Sequence, residues 1–238
     1  MVNPSSHIAE MARKFESERA VLVSSGAVYG EQPAGMQEIP EEFLGAPDIF
    51  RATSCYGEGK RLSEMLFHLS GIDHRIARAF SLTGPYQSLN ACFAVPDFIR
   101  QAAEKGCIHL SGGGTSVRNY CYATDLIIFL FKLLLGKPDH EVYNVGCREG
   151  TTTIAQLAQT IFTIFGGLEI NKSKQDTGSS SSCNRYVPQL NRMYEFYHPL
   201  TGLRESLVRT CHSLYNRGLI GRQPAKNLEA SGSENGTD

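Results

Sequence analysis

The sequence has almost no net charge: 23 Lys and Arg stand against 24 Asp and Glu, leaving −1 at pH 7. It therefore lacks the one-signed surface that nucleic acid or an anionic membrane selects, and neither partner is expected. Long apolar runs are missing too. The longest, Leu126 to Leu135, is about half of the ~20 residues needed to cross a bilayer and reads as a buried helix. The opening Met1-Val2-Asn3-Pro4-Ser5-Ser6 has no basic stretch followed by an apolar one. No secretory signal is read from it, and a cytoplasmic protein is expected. The cysteines are scattered, with no C-x-x-C pair and none grouped with His at zinc-ligand spacing. Reduced thiols are expected, and no histidine is assigned to a metal.

What is present is an ordinary globular composition, 41% hydrophobic and 20% charged over 238 residues. That length suits one large domain or one domain with a lobe. Ile8, Met11, Ala12 and Phe15 fall at helical spacing over 5–15. Ala20-Val21-Leu22-Val23 is a short continuous apolar run, the pattern of a strand buried on both faces of a parallel sheet. Residues 30–54 read as a long loop. Cys55 to Leu69 reads as a helix with Leu62, Met65, Leu66 and Leu69 on one face. Arg75 to Phe80 is strand-like, Pro85 to Cys92 a loop and Val95 to Glu104 a helix. After the turn Gly112-Gly113-Gly114 come a helix from Asp125 to Leu135 and a strand from Val142 to Val145. A helix from Thr153 to Phe165 is capped by a threonine run. Lys172 to Asn184 reads as a mobile loop, Leu203 to Tyr215 as the last helix, and the chain from Gln223 as a disordered tail. Alternating short apolar strands and helices predict an α/β fold with a parallel sheet.

The chemistry rests first on Tyr56 and Lys60. Four residues apart on a helix, they share one face about one turn apart. An ammonium beside a phenol favours the phenolate, so such a Tyr can take a proton from a hydroxyl as hydride leaves for a nicotinamide, or do the reverse. Ser25, at the end of a neighbouring strand, is placed to hydrogen-bond the same substrate oxygen.

Three segments carry these residues: Val23-Ser24-Ser25-Gly26-Ala27-Val28-Tyr29-Gly30, then Ser54 to Arg61, then Arg78-Ala79-Phe80-Ser81-Leu82-Thr83-Gly84-Pro85. Together with Gly112 to Tyr120, Tyr143-Asn144-Val145-Gly146 and Arg185-Tyr186-Val187-Pro188, they resemble the extended short-chain dehydrogenases of the NAD-dependent epimerase/dehydratase family. The resemblance covers about residues 5 to 217. It implies a Rossmann-like, doubly wound parallel sheet with its N-terminal strands missing and a smaller C-terminal substrate-binding lobe. The domain would span 1–222, with the lobe largely within 86–118 and 150–200. The resemblance makes Tyr56 the acid/base and Ser25 its partner on the sugar oxygen. Lys60 would tune Tyr56 and hold the nicotinamide ribose of NAD or NADP, with Ser24 also at the cofactor. Arg118 and Arg185 would grip the diphosphate of a nucleotide-diphosphate sugar, with Ser81 on the same substrate. A homodimer through the Tyr-bearing helix and the helix before the Ser strand is expected. Tyr29 is read as a packing aromatic, Asn144 as closing a strand–loop junction and Cys55 as structural.

The sequence departs from the family pattern in three places. No Gly-x-x-Gly-x-x-Gly follows an early strand, so the pyrophosphate site at a helix N-terminus is not read and an N-terminally truncated chain is expected. No acidic residue stands at Gly26 or Ala27, where the family's dehydratases and decarboxylases carry one. This favours 4-epimerase or 4-ketoreductase chemistry. Ser81 stands where the family usually has Asn. Two other readings stay open: a non-catalytic fragment or binding module, supported by the missing glycine motif, and a reductase of an apolar substrate, opposed by the two arginines.

Overall fold

The computed structural model describes residues 2–91, 93–110, 112–166, 169–172 and 184–225. The expected loop over Lys172–Asn184 and the expected tail from Gln223 fall almost wholly outside them. The elements follow in order: α1 (Val2–Lys14), β1 (Ala20–Ser25), α2 (Cys55–Leu69), β2 (His74–Ala79), β3 (Ser81–Thr83), α3 (Ala94–Lys105), β4 (Cys107–Leu110), β5 (Val117–Tyr122), α4 (Ala123–Leu135), β6 (Val142–Val145), β7 (Thr151–Thr153), α5 (Ile154–Ile164), β8 (Glu169–Lys172), β9 (Arg185–Tyr186), α6 (Asn191–Phe196) and α7 (Leu203–Asn216).

The strands β1, β2 and β6 form a parallel sheet in that order. Alternation along β2 divides the layers: Arg78 turns to Glu64 on α2, while Ala77 packs in a cluster with Leu126, Phe129 and Leu133 of α4. Helices therefore cover both faces, as a parallel sheet requires. The run Ala20 to Val23 differs from its expected burial. Its residues are half-buried or, at Val23, 40% exposed, because β1 is an edge strand among the described residues.

A second cluster joins Phe98, Ile99 and Ala102 of α3, Ile108 and Leu110 of β4, Leu157 and Ile161 of α5, and Leu207, Cys211 and Leu214 of α7. Each fully buried Leu, Ile or Phe there contributes about 1.5–3 kcal/mol. This cluster extends into α7. Gly106 at φ 65° lets α3 turn directly into β4, a left-handed stop that favours glycine. Helix α5 starts with a reciprocal cap: Gln156 N donates to Thr153 Oγ1 at 3.1 Å and Thr153 N donates to Gln156 Oε1 at 3.0 Å.

Two local expectations change. The segment after the glycine turn is the strand β5, which pairs with β3, β7 and β9. Its residues are buried on both faces, so no alternation marks it in the sequence. On α2 the residues turned inward are Gly57, Ser63 and Phe67, not the Leu62–Leu69 stripe. Met65 is 51% and Leu69 72% exposed. Small residues let α2 approach its neighbours closely. The Ser5 hydroxyl of α1 donates to that of Ser63 at 3.0 Å, and a side chain at Gly57 would meet the Ala27 carbonyl oxygen at 2.6 Å.

Candidate functional site

The carboxyl end of β1 and the first turns of α2 build the site. Ser25 ends the strand, is buried, and its Oγ accepts from Ala27 N at 3.2 Å, turning the chain into the short helical turn Gly26–Tyr29. The close approach of Gly57 to Ala27 sets the start of α2 against this turn. That puts Tyr56 at its edge, 47% exposed. One helical turn on, Lys60 Nζ lies 6.0 Å from the centre of the Tyr56 ring and donates to the Val23 carbonyl at 2.9 Å. The face predicted from the four-residue spacing is therefore formed, and the Val23 carbonyl fixes Lys60 beside it. Beside Tyr56 lies a cavity of about 480 Å³, bordered by Ala27, Ser54, Gly57 and Tyr186 among others.

Tyr186 is the residue that sequence reasoning missed. Its phenol lies within hydrogen-bond reach of Ser25, its ring packs on Phe80 with centroids 4.4 Å apart, and it borders the same cavity as Tyr56. Burial is the main influence on this phenol and holds it above its ordinary range, so it stays a neutral donor. No spacing in the sequence relates position 186 to position 25. The pairing arises because β9 adds to β5 in parallel, with Arg118 opposite Tyr186.

That register brings Arg118 toward the Ser25 end of the site, where its charge acts on Tyr186. Its guanidinium donates to the carbonyls of Val117 and Asn184, each at 2.9 Å. Arg185, one residue from Tyr186, leaves the strand on the other side. It donates to the Gln37 carbonyl at 3.2 and 3.1 Å, and so does not join the group around Ser25. Ser81 begins β3 opposite Tyr120.

Ser24 also points away from Ser25, as strand alternation demands. It is 2% exposed and its hydroxyl donates to Glu64 Oε1 at 2.5 Å. Glu64 in turn accepts from Arg78 Nε at 2.9 Å and from its NH2 at 2.6 Å. Arg78 reaches Tyr29 OH at 2.7 Å, and Tyr29 donates to Asn144 at 2.8 Å. Asn144 Nδ2 donates to the Ile39 carbonyl at 2.8 Å. Ser24 thus belongs to a buried polar chain that ties β1 to α2, β2 and β6. Tyr29 is a hydrogen-bonded member of that chain as well as a packing ring.

A Tyr56–Lys60 face open to solvent beside a buried serine suits the nicotinamide-ribose end of a dinucleotide and the reacting carbon of a sugar. No glycine-rich pyrophosphate motif occurs in the sequence. The model of the NAD-dependent epimerase/dehydratase family matches residues 2–146. UDP-glucuronic acid decarboxylase 5 of Arabidopsis thaliana is 35% identical over 196 residues, covering 79% of this chain and 55% of that protein. UDP-glucuronic acid decarboxylase 1 of Danio rerio is 31% identical over 200 residues, 81% of this chain and 46% of its own. Among solved structures, UDP-glucose 4-epimerase from Thermotoga maritima, in a complex with UDP-glucose, aligns at a TM-score of 0.76 with 25% identity. That alignment covers 90% of this chain and 69% of the epimerase. A dTDP-glucose 4,6-dehydratase from Bacillus anthracis in complex with NAD aligns at 0.72 with 22% identity, covering 89% and 66%, and speaks to the fold alone. The chain spans about half the length of the curated relatives it matches.

Proposed function

This chain belongs to the NAD-dependent epimerase/dehydratase family, and from that premise we propose that it carries the acid/base and sugar-binding part of a nucleotide-sugar oxidoreductase. The reaction is hydride transfer at a sugar hydroxyl, in 4-epimerase or 4-ketoreductase form. NAD or NADP, when bound, supplies the hydride chemistry, with Tyr56 and Lys60 at its ribose. Tyr56 takes the hydroxyl proton as the sugar carbon is oxidised and returns it on reduction. Ser25 holds the same oxygen, with the neutral Tyr186 phenol behind it. Arg118, whose charge acts on Tyr186, is the candidate for the substrate diphosphate, which a planar guanidinium suits.

The observation that carries the choice of chemistry is at Gly26. A Cβ there would lie 2.6 Å from the Tyr186 hydroxyl and 2.7 Å from the Phe80 ring. Neither Gly26 nor Ala27, the two positions where the resemblance puts the carboxylate of the family's dehydratases and decarboxylases, carries one, and at Gly26 aromatic side chains take up the space a side chain would need. Reversible oxidation needs only Tyr56 and the hydride acceptor, whereas elimination needs a further acid/base.

Decarboxylation of UDP-glucuronic acid is the second reading, favoured by the identity to relatives of that name. It begins with the same oxidation. Incubating the purified chain with NAD or NADP and either UDP-glucose or UDP-glucuronic acid, with products followed by NMR, separates the two. A C4 epimer, or a 4-ketosugar formed together with one equivalent of NADH or NADPH, supports the first, and loss of the C6 carboxylate as CO₂ supports the second. A folded chain that binds neither dinucleotide nor sugar fits the non-catalytic reading.

A homodimer is part of the proposal. Ile8 and Met11 of α1, Phe15 just after it, and Met65 and Leu69 of α2 are 51–72% exposed, so both packed helices present apolar side chains outward. Isolated apolar residues are common on surfaces, but this many on two adjacent helices support the proposed interface.

A further inference from the structure

We propose that His68, His74 and Glu141 form a binding site for a divalent transition-metal ion of the Zn²⁺ class. The site joins the end of α2, the first residue of β2 and the residue before β6. It lies at the far end of α2 from Tyr56, twelve residues away and so about 18 Å along the axis. It is independent of the proposed catalytic function.

Glu141 Oε1 is 3.1 Å from His68 Nδ1 and 2.9 Å from His74 Nε2. All three donor atoms lie within 4.8 Å of one another. A tetrahedral ion with bonds of ~2.0–2.1 Å holds its ligand atoms roughly 3.3 Å apart, so little movement is needed to receive one. Imidazole and carboxylate together suit Zn²⁺, Ni²⁺ or Cu²⁺ better than the hard cations.

The second ring nitrogen of His74 is the deciding detail. His74 is buried, and its Nδ1 sits 2.8 Å from the Ile72 carbonyl oxygen. A carbonyl there calls for an N–H, which leaves the Nε2 lone pair of the neutral ring aimed at Glu141. An outer carbonyl partner that fixes the tautomer in this way is the usual support of a metal-ligating histidine. Phe67 packs edge-on against the His74 ring, and the His68 ring stands at 81° to it. His68 presents its own nitrogen to the same carboxylate oxygen. One divalent ion satisfies both lone pairs and the carboxylate at once.

His68 and Glu141 also border a groove of about 830 Å³ between α2 and the strands β2 and β6. This leaves an open side from which the ion enters and on which water completes its shell.

The test uses the whole chain, stripped with a chelator, dialysed and titrated with Zn²⁺ against a chromogenic competitor. A parallel titration with Co²⁺ reads the visible absorption of a low-symmetry site. One equivalent of Zn²⁺ is expected, with a raised melting temperature. His68→Ala is exposed and leaves the fold intact. It should weaken binding by at least ~100-fold, at or beyond the loss from removing an outer-shell partner, and abolish the metal-dependent rise in melting temperature. Glu141→Gln should do the same. Stoichiometric uptake unchanged in both variants, or no uptake by the wild-type chain, overturns the proposal. The latter outcome would mean that the two imidazoles and the carboxylate only hydrogen-bond one another.

Discussion

Tyr186 fills the space beside Gly26: a carbon added at Gly26 would meet the Tyr186 hydroxyl at 2.6 Å. Restoring a carboxylate there as Gly26→Asp should therefore destabilise the chain by about 1–3 kcal/mol, the range for overpacking. Adding Tyr186→Ala should recover part of that loss, because the two sites share one volume and their effects are not additive. Denaturant midpoints of the two single variants and the double variant measure the coupling. Additive losses would place the strain elsewhere, on Phe80.

Tyr56 is half-exposed, so Tyr56→Phe should leave the thermal midpoint unchanged. Turnover of the nucleotide sugar by the chain should fall about 10²–10⁴-fold, the usual contribution of a positioned acid/base. Activity retained within a factor of a few would remove Tyr56 from the proposed role.

The Glu64–Arg78 pair is buried, with side-chain exposures of 11% and 14%. Glu64→Ala strands a guanidinium and should cost about 3–5 kcal/mol, whereas Glu64→Leu with Arg78→Met should be less damaging than either single change. Urea unfolding of the set decides it, and a double variant worse than both singles would contradict the reading.

Burial, the largest influence on Glu41, raises its carboxyl above the usual value of 4.5. The backbone N–H of Asn144, donating at 2.9 Å, pulls the other way. Between the ordinary value and the raised one, the folded chain holds a proton that the unfolded chain has lost. Stability contributed by this group is therefore full below about pH 4.5 and declines as pH rises through the raised value. Glu41→Gln should flatten that decline in a plot of melting temperature against pH. An unchanged slope would assign it to other groups.

Charge placed on the outer faces of α1 and α2, as Met11→Glu with Leu69→Glu, should convert a dimer to a monomer in sedimentation equilibrium without loss of helical signal. A wild-type chain that is monomeric at micromolar concentration would remove the proposed interface.

The sequence by itself determined the α/β class, the limits of α2 and β6, and the shared face of Tyr56 and Lys60. These depend on short-range periodicity and on a fixed helical pitch. The tertiary structure decided which face of α2 turns inward. Hydrophobicity pointed to Leu62, Met65, Leu66 and Leu69, yet Gly57, Ser63 and Phe67 are buried, because close helix approach rewards small side chains over apolar ones. It also separated Ser24 from Ser25, since neighbours on a strand face opposite ways, and Arg185 from Arg118, since the register of β9 on β5 sets Tyr186 and not Arg185 opposite Arg118. Tyr186 beside Ser25, and His68 and His74 around Glu141, come together only through strand order and register. Contacts between residues so far apart in the chain leave no spacing to read.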